Sequence, residues 1–219
     1  MNELKKIFQC DSFTLKMIAI ITMFIDHIGV IFFPEMIIFR IIGRISFPIF
    51  AFLIVEGFLH TRDIRKYMIR LGMFAFISEI PFDLAFHGAI LEFGSQNVFF
   101  TLFLGVVLLY FYDQQYNNAS KAGCVVLILL AGDIFRTDYG AWGILMIFCF
   151  YVFREKRLWQ MLSLILINVF AFGFIQAFAV LSIIPICMYN GKRGISAKYL
   201  FYIIYPLHLL VLVLIKIMS

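Results

Sequence analysis

The chain has 219 residues, 63% of them hydrophobic and 14% charged, with a net charge of +5 and a mean hydropathy of +1.00. So little polar surface cannot hydrate a soluble domain, which makes membrane lipid the expected solvent and partner. The cationic excess, which in a soluble protein would point to nucleic acid, follows a topological pattern that requires no nucleic acid at all.

A bilayer core offers the backbone no hydrogen bonds, so each apolar run must satisfy its own amides as a helix, and no run alternates as a barrel strand would. The expected fold class is all-α: a polytopic integral membrane protein of about nine transmembrane helices in one bundle, at about 20 residues per span. No polar linker divides the chain, so residues 1–219 form one transmembrane domain. The first predicted helix, near 14–34, carries Asp26 and His27 inside its apolar run. No small-residue cleavage site follows it, so it reads as a retained signal anchor. The second, 37–59, opens with Arg40 and Arg44 at i and i+4, so both guanidinium groups point the same way and can form one anion site. The third, 67–86, repeats that spacing with Glu79 and Asp83 around Pro81, and these carboxylates are the natural partners of the arginines. Helices near 97–112, 121–135, 138–153, 158–173 and 175–190 follow. Asp133, Arg136 and Asp138 crowd the connection between the fifth and sixth, which are two short spans or a re-entrant pair. The last helix, 199–217, carries Tyr205, Pro206 and His208 near its middle.

Fourteen of the 18 Lys and Arg residues lie in or beside alternate loops: Lys5, Lys6, Lys16, Arg62, Arg65, Lys66, Arg70, Lys121, Arg154, Lys156, Arg157, Lys192, Arg193 and Lys198. That is the positive-inside pattern, and it places the N-terminus in the cytoplasm. The four Cys residues show no ligand spacing, and the four His residues are never three or four apart, so no metal site is expected. Zinc-helix, serine-elbow and phosphate-loop motifs are absent.

An ionisable side chain at mid-bilayer costs roughly 2.5–3.5 kcal/mol on insertion scales, so each one needs a partner, a wet cavity or a task. Asp26 and His27 lie about 18 Å along the first helix, just past its middle. A carboxylate beside an imidazole suits a general base for an amine or hydroxyl. The plainer alternative makes the arginines and acids an ion-pair network that holds helices together. A small proton-coupled transporter or channel would use the same groups as a pathway, and a noncatalytic membrane partner would use none of them.

Six blocks, in order, carry a resemblance: LKMIAIITMFIDHIG (15–29), GRISFPIFAFLIVEGFLHTR (43–62), RKYMIRLGMFAFISEIPFDLAF (65–86), QNVFFTLFLG (96–105), DYGAWGILM (138–146) and YPLHLLVL (205–212). Together they resemble the TraX family, which is associated with N-acetylation of pilin in conjugative plasmids and related to multipass transmembrane acyltransferases. The resemblance covers nearly the whole chain. It implies a bacterial inner-membrane acetyltransferase that moves an acetyl group from cytosolic acetyl-CoA to an acceptor at or across the membrane, a pilin-like N-terminus or another peptide, a glycan or a lipid. With the residue chemistry, it points to His27 as base or acyl carrier, oriented by Asp26. Arg40 or Arg44 would bind an anionic group, while Arg62, Arg65 and Lys66 would face the coenzyme. Asn97 or Tyr205 would supply oxyanion donors, and Glu79, Asp83, Asp138 and His208 would complete the polar network.

Overall fold

The computed structural model describes residues 9–171, 173–196 and 198–218. Lys5 and Lys6, counted above among the loop cations, lie outside them. Among the described residues every regular element is helical, and β-pairing is confined to two isolated bridges, Cys10 with Tyr189 and Gln96 with Thr137.

The helices are α1 (Ser12–Phe32), α2 (Ile37–Gly43), α3 (Ser46–His60), α4 (Ile64–Phe86), α5 (Val98–Gln114), α6 (Asn118–Ile134), α7 (Gly140–Val152), α8 (Arg157–Phe170), α9 (Phe174–Ala177), α10 (Ile183–Cys187) and α11 (Lys198–Met218). A 3₁₀ turn, Phe178–Ser182, joins α9 to α10. Three stretches, Ser12–Phe32, Ile37–His60 and Tyr199–Met218, are long and apolar enough to cross a membrane. Others are short: the 13 residues of α7 extend only about 20 Å.

Two of the expected spans have interrupted α-helical hydrogen bonding, although the backbone at the interruptions stays right-handed helical. The second splits into α2 and α3 at Arg44 and Ile45, because Pro48 has no N–H to return to the Arg44 carbonyl. The eighth splits into α9, the 3₁₀ turn and α10, with Pro185 inside the last piece. By contrast, α4 runs continuously through Pro81 for 23 residues. Side chains set several helix starts: Asp11 accepts from the Thr14 amide at 2.8 Å and Asp63 from the Lys66 amide at 3.0 Å. These bonds stabilise the carboxylates and hold both below the usual carboxylate range.

The centre of the bundle is α3, with ten of its fifteen residues buried, in contact with α1, α5 and α7. A helix apolar on every face belongs in that position. Around it, α11 packs on α1 and α4, α4 on α5, and α5 on α6 and α7. α6 is peripheral, with Gly132 its one buried residue. It and α7 both run the length of α5. At one end, Lys121 lies over the Tyr112 ring and the Tyr151 hydroxyl donates to Asp113; at the other, the Gln96 amide donates to the Arg136 carbonyl. The crowded Asp133–Asp138 connection is a tight turn, with Arg136 at φ 51° and Asp133 accepting from the Ala141 amide at 2.7 Å.

The loops sort to two ends. Cys10 pairs with Met188 and Asn190, Tyr189 donates to Glu56, and Phe58 meets Tyr151, so the cation-bearing connections near residues 10, 61, 114, 154 and 190 share one end. Large apolar side chains such as Phe76, Leu127, Trp159 and Phe170 point outward, as they would toward lipid.

Close helix contact at Gly143 leads to a prediction. A Cβ there would lie 2.4 Å from the Tyr139 Cβ and 2.9 Å from both the Phe47 ring and the Thr101 methyl, whereas one at Gly123 meets nothing within 4 Å. Gly143→Val should lower the melting temperature in detergent by several degrees or abolish folded yield. Gly123→Ala should be neutral or stabilising by up to about 1 kcal/mol.

Candidate functional site

Asp26, on α1, is 7% exposed and sits directly against Gly43: a Cβ on that glycine would fall 2.2 Å from Asp26 Oδ1. Arg40 and Arg44, one helical turn apart, both reach this one carboxylate. Asp26 Oδ2 accepts from Arg40 Nη1 at 2.9 Å and from Arg44 Nη2 at 2.7 Å, while Oδ1 is buried without a protein partner. Arg44 also donates through Nη1 to Gln176 Oε1 at 3.2 Å. Gln176 Nε2 donates in turn to Asn168 Oδ1 at 3.0 Å, and Asn168 Nδ2 to the Leu164 carbonyl at 2.9 Å. The guanidinium is thus located by groups from α1, α8 and α9.

His27, the next residue on α1, faces α11. Its Nδ1 lies 2.7 Å from Nε2 of His208, and His208 Nδ1 lies 2.9 Å from the Ile204 carbonyl. Phe24 packs on one face of His208 and Phe86 meets the edge of His27.

These residues surround a cavity of about 210 Å³ lined by Asp26, His27, Arg40, Arg44, Asp138, Tyr139 and Tyr205. A second cavity, of about 800 Å³, opens toward the cation-bearing end and is lined by Lys16, Glu56, Arg62, Tyr67, Arg70, Tyr189 and Arg193 among others. Met23, Phe50, Val98 and Tyr205 line both. Those four side chains, from α1, α3, α5 and α11, stand at the boundary, or throat, where a larger, basic-mouthed chamber adjoins a smaller one holding His27.

Residues 12–216 match the family model described as TraX protein. The chain belongs to the TraX family. A probable fimbrial assembly protein, FimC of serogroup H1, from Dichelobacter nodosus is 30% identical over 92% of this chain and 93% of its own length. An uncharacterized protein of Rickettsia prowazekii (strain Madrid E) is 31% identical over 65% of this chain, which covers 56% of that protein. No solved structure matches.

In this TraX-family chain the structure brings together some expected site residues and separates others. Asp26, His27, Arg40, Arg44, Asp138, Tyr205 and His208 converge. Glu79 and Asp83 are not the partners of the arginines, because Asp26 is nearer and takes both. Instead, Glu79 accepts from the amide and side chain of Asn97, and Asp83 Oδ2 accepts from the Glu92 amide at 2.8 Å. They anchor the 87–97 loop. Asn97 cannot serve as an oxyanion donor: its side-chain N–H groups are given to the Ala75 carbonyl and to Glu79, and its Oδ1 caps α5 at Phe99. The five cations assigned to an anionic group or to the coenzyme do not form one group. Arg40 and Arg44 line the small cavity, Arg62 the large one, Lys66 pairs with Asp63 at 3.2 Å, and Arg65 reaches Tyr110.

Sequence reasoning missed Asn168 and Gln176 as supports of Arg44, and Glu56 and Tyr189 in the basic chamber. An Asn and a Gln inside apolar runs were the available signal, since such side chains seek interhelical partners. Asp26 should be the keystone of stability here. Asp26→Leu would leave two guanidinium groups in one cavity without their counterion, at a cost of about 3 kcal/mol or more. The corresponding fall in melting temperature should far exceed that of Asp138→Asn, a change at an exposed residue on the rim of the same cavity.

Proposed function

We propose that this protein is a membrane-embedded acetyltransferase that takes an acetyl group from cytosolic acetyl-CoA and passes it to an acceptor on the other side of the throat. In this reading all nine helical stretches cross the bacterial inner membrane, with the N-terminus and the basic end in the cytoplasm. The observation that carries it is the pair of adjoining chambers, a large one with a cationic mouth and a small one that holds an imidazole; in this reading the four side chains they share form a passage between them.

The basic chamber suits an anionic nucleotide thioester. Lys16, Arg62, Arg70 and Arg193 offer charge to its phosphates, and the throat admits a thin arm carrying the acyl group. Bound acetyl-CoA supplies the activated acyl carbonyl. In the small chamber His27 takes the proton from the acceptor amine or hydroxyl as the new bond to the carbonyl carbon forms. The C–S bond then breaks, and the departing thiolate is protonated to free coenzyme A. Arg44, pinned by Asp26 and Gln176, presents a fixed positive charge toward the developing oxyanion, and Tyr205 lines the throat where the carbonyl would lie. The acceptor we favour is a pilin-like N-terminus or another envelope amine or hydroxyl. The relative named for fimbrial assembly supports a pilus context.

Purified protein in nanodiscs should transfer labelled acetyl from acetyl-CoA to a cell-envelope fraction. His27→Ala should abolish transfer while the melting temperature stays within a few degrees. Acetyl-CoA that neither binds nor shifts thermal stability at millimolar concentration would rule out this function.

The throat sets a second expectation. If Met23 and Phe50 define its width, Phe50→Ala or Met23→Ala should raise the rate with hexanoyl-CoA relative to acetyl-CoA by about tenfold or more. A wild-type protein already indifferent to acyl length would remove any selective role for the throat.

A further inference from the structure

The two imidazoles at the outer end of the throat fix each other's protons. His208 Nδ1 lies 2.9 Å from the Ile204 carbonyl, which can only accept, so Nδ1 carries a hydrogen. In a neutral ring that leaves the lone pair on Nε2. The 2.7 Å contact from Nε2 to His27 Nδ1 then requires the hydrogen to sit on His27 Nδ1. The rings are within 9° of parallel with centroids 4.9 Å apart, so with that short nitrogen contact they meet edge to edge, as an N–H···N bond needs. The remaining nitrogen, His27 Nε2, has no hydrogen-bond partner among the described residues and belongs to a side chain that lines the small cavity.

We propose that His208 is a positioning residue that holds His27 in the Nδ1–H tautomer, so that the bare Nε2 faces the acceptor. This rests on the acetyltransferase reading for its purpose and on the hydrogen-bond geometry for its substance. When Nε2 takes a proton from the acceptor, the Nδ1 hydrogen already points at the His208 lone pair. Part of the new charge passes along that bond toward the Ile204 carbonyl. His208 therefore does for His27 what a carboxylate does in a catalytic triad, but with a neutral group that a membrane interior tolerates at lower cost. Asp26, adjacent in sequence, does not take that role: the His27 Nδ1 contact is made to His208, and Asp26 Oδ2 is turned to the two arginines. Also facing the pair are Tyr205, edge-on to both rings, the rings of Phe24 and Phe86, and, across the small cavity from His27, the Arg40 and Arg44 guanidinium groups.

The test is ¹⁵N-histidine NMR of the full chain in detergent near neutral pH, with the His27 and His208 signals assigned from His27→Gln and His208→Gln. His27 should show a protonated Nδ1 and a bare Nε2. His208→Leu, which removes the acceptor, should lose that tautomer preference and lower kcat for acetyl transfer at least tenfold with KM for acetyl-CoA unchanged. His208→Gln, whose amide oxygen can still accept, should restore the tautomer and most of kcat. A wild-type His27 protonated at Nε2, or a tautomer unaltered in His208→Leu, would overturn the proposal. If His208→Leu does not fold, the wild-type and His208→Gln spectra still decide it. The expected tautomer in a protein that transfers no acetyl group would defeat the enzymatic reading and leave the imidazole pair standing.

Discussion

Two arginines converge on one oxygen of Asp26, and the geometry of the far end of the bundle follows from that convergence. The contact needs Gly43, whose missing side chain makes room for the carboxylate, and the i, i+4 spacing that puts Arg40 and Arg44 on one face. A carboxylate between two guanidinium groups in a largely desolvated setting is stable only as a unit, because each charge is costly without the others. Its neighbour His27, about 100° further round the helix, faces α11 instead and meets His208 there.

The same economy explains the asymmetry of the two chambers. At the basic end, cations line a wide opening and make few ion pairs, as suits groups that hold water or a soluble anion. At the far end the polar groups are mutually committed: Asp26 to the arginines, Arg44 to Gln176, Gln176 to Asn168. The throat between them is lined from four helices distant in sequence, by a methionine, a phenylalanine, a valine and a tyrosine.

Much of the fold was legible because lipid imposes one rule on every apolar run. Among the described residues nine helical stretches stand close to where apolar runs predicted them, and the ends missed were shifted by capping residues such as Asp11 and Asp63. The pairing of charges was not legible. Glu79 and Asp83 repeat the i, i+4 spacing of Arg40 and Arg44 and looked complementary to them, yet spacing along a helix carries no information about which helix lies opposite. Asn97 looked available as a donor, and only the approach of α4 shows that both its hydrogens are spent.

Composition, apolar run length and the distribution of Lys and Arg by themselves determined that this is an all-helical chain with a basic end, and that Asp26 and His27 are anomalies within an apolar helix. Those are local properties, fixed by the solvent each segment must face. Tertiary structure alone decided that Asp26 belongs to the arginines and His27 to His208, 181 residues away in the chain. Which nitrogen carries a proton depends on the group packed against it, and packing is settled by the whole bundle rather than by any one helix.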